Sequence, residues 1–297
     1  MLTRSQCPAK LTPPPLSARQ STEGILKITK SMKMVSAAKL RGTQKELDAG
    51  KAFGMSVDRM LPAPCINEDF AEGLYEAEFP TEKTAIIVMA SDKGLCGGVN
   101  TQAAKYCKMI LDSETVGEAS VFMVGDKARG ALVRTHGQFI KGSLDECWKP
   151  GMNFAKASAI AHRVLSMDEF EQVQIIYNEF KTVVTYIPTM QPVRIFNTIA
   201  DPAGDFPAPL QGYELEPEVP AEVMTNLAEY TLAVKIYHAA LENATSEESS
   251  RMSAMENASK NAGEMVEKLT IKYNRARQAK ITTELIEIIS GAESLKD

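Results

Sequence analysis

The chain has 297 residues, a formal charge of −5, 44% hydrophobic and 24% charged side chains. That balance excludes a disordered chain, and the length suits two ordinary domains or one domain plus something extended. One Trp and ten Phe are thin material for two full cores. No apolar run reaches the about 18 residues that a membrane span needs. The five cysteines (Cys7, Cys65, Cys96, Cys107, Cys147) show no CxxC spacing, which argues against a disulfide framework or a zinc site and for a reducing compartment.

Charge is placed unevenly. Residues 1–41 hold eight basic side chains and one acid, Glu23, a sum of +7 that leaves −12 for the rest. Residues 1–20 have Arg, Ser and Thr and no acid. They read as an organellar transit peptide or a plain disordered tail, with Pro13, Pro14 and Pro15 interrupting any helix there. From 21 to 61 the pattern is helical: Ile25, Ile28, Met32 and Val35 recur at three- and four-residue steps as the apolar seam. The small residues Ser36, Ala37, Ala38 and Gly42 then permit close approach of another backbone. Pro62, Pro64 and Pro80 mark a linker.

Residues 84–200 change period. TAIIVMA (84–90) and SVFMVG (120–125) are short apolar strands, each followed by a helix, and a third helix spans 153–167. VQIIYNEF and TVVTYIP then follow as a tight hairpin. Strands alternating with helices predict a small, mostly parallel α/β sheet with one antiparallel pair at its end. Five Pro within 201–220 make that stretch an extended connection.

From 221 to 297 there is no Pro and only Gly263 and Gly291. One seam steps through it by threes and fours, from Met224 past His238, Thr245, Glu248, Met255, Ser259, Ala262, Val266 and Leu269 to Tyr273 and Ala276. That period specifies a left-handed coiled coil. Two long terminal helices around a compact insert predict an antiparallel pair. The last helix is the longer, about 112 Å at roughly 1.5 Å per residue, so an elongated molecule with a C-terminal overhang is expected. The overhang's tip, with Ile281, Leu285, Ile286, Ile288 and Ile289, is apolar on most of its circumference and calls for burial inside something else.

Several segments could carry chemistry. SDKGLCGGVN (91–100) joins a strand to a helix, where α/β domains bind phosphate, yet it matches neither GxGxxG nor GxxxxGK[ST]; a tight turn is the better reading, with Cys96 a small buried hydrophobe. His136, His162 and His238 share no spacing, so neither a metal nor a cofactor is expected. Lys268, Lys272, Arg275, Arg277 and Lys280 form a basic run with no acid between Glu267 and Glu284. Together with Lys27, Lys30, Lys33, Lys39 and Arg41 they ask for an acidic protein surface. A net acidic chain with few aromatics on these faces is a poor nucleic-acid binder. From spacing alone, a nucleotide-dependent enzyme and a free coiled-coil scaffold stay open.

ILKITKSMKMVSAAKLR (25–41), SDKGLCGGVN (91–100) and RMSAMENASKNAGEMVEKLTIKYNRARQAKITTELIEIISGA (251–292) resemble, in order, the gamma subunit of F-type ATP synthase. The resemblance covers nearly all of the chain after residue 20. It implies an antiparallel coiled coil carrying a Rossmann-like α/β domain, acting as a non-catalytic rotor. The implied partners are a hexamer of alpha and beta subunits, the small central-stalk delta and epsilon subunits and the c-subunit ring, with the membrane touched only through that ring and no nucleic acid bound. It further implies that Met32, Arg251, Arg277, Gln278 and Thr282, with Lys33 as a neighbour, face the hexamer, and that Ile281, Leu285, Ile288 and Ile289 turn in an apolar sleeve. The first helical turns, ARQSTEGILKITK, carry fewer basic residues than the family usually shows. The stretch 193–220 lacks the cysteine pair of chloroplast versions, which points to a mitochondrial type at the matrix side of the inner membrane.

Overall fold

The computed structural model describes residues 14–60, 83–113, 118–149, 151–168, 170, 172–195 and 221–293. Residues 1–13, the linker with Pro62, Pro64 and Pro80, most of the 201–220 connection's surroundings and that connection itself, Cys7, Cys65 and 294–297 lie outside them, as does the side chain of Met224. The chain forms two compact units, one of 1–35 with 254–297 and one of 36–253. Helix α1 (Pro14–Met60) and helix α5 (Ala221–Glu293) contribute to both.

Helix α1 starts at Pro14, inside the stretch 1–20 expected to be a tail. Proline is tolerated in a first helical turn, where its missing N–H would have no partner. One turn on, Arg19 pairs with Glu23 at 3.2 Å. In the first unit Arg19 also lies over the Tyr273 ring at 5.7 Å, Ser259 Oγ donates to Thr29 Oγ1 at 2.8 Å and Lys33 pairs with Glu256 at 3.2 Å. Rising numbers on one helix meet falling numbers on the other, so the pair is antiparallel. The α5 seam is placed as expected from Met255 through Ala262 to Tyr273, although Ala276 is exposed. The α1 seam is displaced by one residue. Thr22, Thr29 and Ser36 are buried, whereas Ile25, Ile28 and Val35 are exposed. At Thr29, against Ser259, a small side chain brings two backbones closer than Ile or Val would.

In the second unit the sheet order is β3-β2-β1-β4-β5, from β1 (Lys83–Met89), β2 (Glu118–Val124), β3 (Ile140–Leu144), β4 (Gln172–Phe180) and β5 (Tyr186–Arg194). The first four strands are parallel and β5 runs antiparallel to β4, as the periodicity predicts. Alternation along β1 splits the core. Ala85, Ile87 and Met89 face α4 (Phe154–Leu165) and the α5 residues Leu232, Ala233, Ile236 and Ala239. Ile86, Val88 and Ala90 face α2 (Val99–Asp112) and α3 (Arg129–His136). Each fully buried Leu or Ile contributes about 1.5–3 kcal/mol, so α5 is seated mainly by its contact with the sheet. Asn153 starts α4 by accepting the Lys156 amide at 2.9 Å, an ordinary N-cap.

Two details differ from the sequence reading. Strand β3, IKGSL, is short and polar, with no apolar alternation to reveal it. The second hairpin strand begins at Tyr186, because Thr182 Oγ1 accepts from the Val184 and Thr185 amides at 3.4 and 3.1 Å and closes a turn. Val183 and Val184 are thereby pushed out at the tip, Val184 to 78% exposure. Pro188 and Pro192 are accommodated because β5 is an edge strand.

Against this sheet α1 packs on α5 through Gly50 and Gly54. A Cβ on Gly54 would sit 2.4 Å from His238 Cδ2, and one on Gly50 would sit 2.6 Å from Leu241 Cδ1. His238 is thus a packed seam residue, and burial lowers its pKa.

Candidate functional site

Between Thr231 and Arg251, α5 is buried on nearly every side, yet much of that stretch is polar. Lys235, Glu242, Asn243, Thr245, Ser246, Glu247, Glu248, Ser249 and Arg251 are all buried. Buried polar groups persist where hydrogen bonds replace water, and these reach the β4–β5 hairpin and the 91–98 loop. Asn178 Nδ2 donates to Asn243 Oδ1 at 2.9 Å, and the Phe180 amide donates to Glu242 Oε2 at 2.7 Å. Burial raises the Glu242 pKa against the opposing effect of that amide. Lys235 falls to about 8 because burial penalises its charge.

The 91–98 loop is a self-bonded turn. Asn100 Oδ1 accepts the Ser91 amide at 2.9 Å, and its Nδ2 donates to Ser91 Oγ at 2.7 Å and Cys96 Sγ at 3.1 Å. Cys96 is buried, as a small hydrophobe would be. Leu95 takes a left-handed φ of 63° and points its side chain outward.

Arg251 closes this loop from α5. Its guanidinium contacts Glu247, pairs with Glu248 at 2.8 Å and donates from Nε to Gly94 O at 3.4 Å. Burial works against its charge, but the two carboxylates outweigh it and raise the Arg251 pKa. Burial raises the Glu247 pKa, with Arg251 opposing. Arg251 is only 5% exposed and holds the loop from within the chain, where the resemblance implies a residue facing the hexamer. The sequence could not distinguish the two because Arg is ordinarily exposed.

At the carboxyl ends of β1, β2 and β3, where α/β sheets commonly bind ligands, lies a cavity of about 650 Å³. Lys39, Lys93 and Lys149 line it together with Asp92, Asp126 and Glu248. Lys39 lowers the Lys93 pKa through a side-chain hydrogen bond and its charge. Carboxylates among the walls repel a polyphosphate. Among the described residues no cluster of His, Cys, Asp or Glu is arranged to hold a metal ion, and no helix is long and apolar enough to cross a membrane.

The ends of the helices behave differently. Every residue of α5 from 274 to 293 is exposed, including Ile281, Leu285, Ile286, Ile288 and Ile289. Arg277, Gln278 and Thr282 are exposed on the same stretch, with Thr282 Oγ1 bonded back to Gln278 O at 2.9 Å. The basic run is exposed too, and Lys280 pairs with Glu284 at 3.6 Å. On α1, Met32 is half-buried and Lys33 is held by Glu256.

Residues 18–295 match the family described as ATP synthase. A gamma subunit of mitochondrial ATP synthase from Ipomoea batatas is 38% identical over 284 residues, covering 93% of this chain and 83% of that protein. The mitochondrial F(1) complex gamma subunit of Rattus norvegicus is 39% identical over 285 residues, with 93% and 96% covered. The chain belongs to the gamma-subunit family of ATP synthases. A structure described as the central stalk and c-ring of Tetrahymena thermophila mitochondrial ATP synthase contains a chain 30% identical to this one, with a TM-score of 0.61 and 78% and 99% covered.

In this gamma-family chain the structure gathers Arg277, Gln278 and Thr282 with the apolar tip on the exposed end of α5, apart from Arg251. Sequence reasoning missed Ser246, Ser249 and Ser250, which bind the backbone of the β4–β5 hairpin and of the loop after β1. The signal was available as the SEESSR cluster (246–251), polar residues occupying every side of a helix in place of the usual single face.

Proposed function

We propose that this chain is the central-stalk rotor of a mitochondrial F-type ATP synthase, coupling rotation driven by the membrane ring to conformational cycling of three catalytic beta subunits. The observation that carries this is the end of α5, where an apolar tip and a basic run are both exposed to solvent. An isolated helix gains nothing by exposing five branched aliphatic residues, so other chains must enclose them. Enclosure by an alpha–beta hexamer suits the tip. Acidic loops of beta subunits suit Lys268, Lys272, Arg275, Arg277 and Lys280, with Met32, Lys33, Gln278 and Thr282 as further contacts. The α/β unit is the part that binds the delta and epsilon subunits and the c-subunit ring, at the matrix side of the inner membrane.

The chain itself performs no covalent chemistry. An asymmetric shaft touches three identical sites unequally, and it shifts each site's equilibrium only by that inequality. Exposed ionic contacts of about 0.2–1 kcal/mol each add up without any one being indispensable. Native mass spectrometry of the purified assembly is expected to give one copy of this chain with three alpha and three beta subunits; a homo-oligomer of this chain would overturn the reading. For Arg277→Ala, proton pumping is expected to fall more than ATP hydrolysis, whereas a strictly proportional loss would remove the coupling role.

A further inference from the structure

Four side chains on little more than one turn of α5 grip two separate backbone segments. Ser246 Oγ donates to Asn178 O at 2.9 Å, and Ser249 Oγ donates to Val183 O, both in the β4–β5 hairpin. Ser250 Oγ donates to Cys96 O at 2.7 Å and Arg251 Nε donates to Gly94 O at 3.4 Å, both in the loop after β1. Successive helical residues point about 100° apart at roughly 3.6 residues per turn. Ser249, Ser250 and Arg251 therefore hold α5 from directions spread over about 200° of its circumference.

The gripped segments are stiff in their own right. Asn100 ties Ser91 to Cys96 across the loop, and Thr182 closes the hairpin tip. Below them Leu232, Ala233, Ile236 and Ala239 seat the same helix on the sheet by apolar contact. Apolar contact is non-directional and resists separation more than rolling. Hydrogen bonds weaken steeply when their angles change, so they resist rolling.

We propose that Ser246, Ser249 and Ser250 are positioning residues that key α5 against rotation about its own axis within the α/β unit. Torque applied to the sheet domain then turns the helix instead of being lost as slip. This rests on the rotor reading. Arg251 reinforces the key from the loop side.

The test is single-molecule rotation of the assembled complex. A bead is attached at Glu118→Cys, the exposed first residue of β2, with Cys7, Cys65 and Cys147 changed to Ser. The width of the bead's angular distribution during catalytic pauses reads torsional stiffness. For the triple variant Ser246→Ala, Ser249→Ala, Ser250→Ala the variance is expected to rise at least twofold, with unloaded ATP turnover unchanged. Leu232→Ala, which removes apolar seating only, is expected to lower the melting temperature without widening the distribution. An unchanged variance in the triple variant, or equal widening in Leu232→Ala, overturns the inference. Should the triple variant fail to assemble, Ser250→Ala alone must show part of the widening, and none would overturn it equally. A parent complex that does not rotate brings down the rotor reading itself, which separates the two failures.

Discussion

Residues 231–251 and 274–293 belong to one helix and invert the usual relation between polarity and burial. The first stretch is buried and carries Lys235, Glu242, Asn243, Ser246, Glu247, Glu248 and Arg251. The second is exposed and carries Ile281, Leu285, Ile286, Ile288 and Ile289. The buried stretch can carry these polar groups beside its apolar ones because most of them bond within the same chain, to backbone groups and to side chains such as Asn178, which fix direction as well as distance. The exposed stretch sets these aliphatic side chains beside the charged Arg275, Arg277 and Lys280, and on the proposed rotor reading they are contacts left for other chains. Burial measured on this chain thus separates the contacts it completes alone from the faces it leaves open.

The largest test of this contrast removes the buried cation. Arg251→Met strands Glu247 and Glu248 without their partner, and breaking one side of a buried pair costs about 3–5 kcal/mol. Urea unfolding followed by the fluorescence of Trp148, whose Nε1 donates to Ala90 O at 3.0 Å beside the loop, should register that loss. A change below about 1 kcal/mol would show the pair to be solvated.

Lys235→Met should act in the opposite direction. With the folded pKa depressed to about 8 from 10.5, the group's contribution is best above the unfolded pKa, declines as pH falls through the folded one, and is at its worst below about 8. The variant should therefore be more stable than the parent at pH 7, by on the order of 2–3 kcal/mol. The gap should close as pH approaches about 10.5. A pH-independent difference would assign the effect to packing.

Gly54→Ala is expected to cost about 1–2 kcal/mol. Its Cβ meets His238 at 2.4 and 2.8 Å, an overpacking penalty only partly offset by alanine's helix preference. Gly50→Ala should be near neutral, because the opposing atom is the mobile end of Leu241. Melting temperatures of the two variants would resolve them. Smallest of all, Ile288→Ser with Ile289→Ser should shift the stability of the free chain by less than about 0.5 kcal/mol while weakening its retention in the hexamer, measured by dissociation on dilution.

Much of the fold was legible because periodicity reports burial directly. Strands β1, β2 and β4 were apolar runs, and the α5 seam kept its three-and-four step through Met255, Ser259, Ala262, Val266 and Tyr273. The α1 seam was misread for an instructive reason. Hydrophobicity points to Ile25, Ile28 and Val35, but the face buried within this chain carries the smaller Thr22, Thr29 and Ser36. Of the site, the exposed tip and basic run were visible as unpartnered faces. The hidden place of Arg251 was not, since nothing local in a sequence distinguishes an arginine bound to its own chain from one offered to another. The hairpin register was lost to Thr182, whose hydroxyl bonds to the turn at a cost in strand length.

The side chains that α1 and 254–293 bury in their own unit are few and mostly small, Thr22, Thr29 and Ala262 among them, and the Ser259–Thr29 hydrogen bond holds little apolar area. A terminal helix pair so sparingly glued is ordered chiefly by whatever surrounds it. In the free chain the pairing of α1 with 254–293 should therefore open before the sheet does, and amide exchange should be faster in that stretch than in β1 and β4.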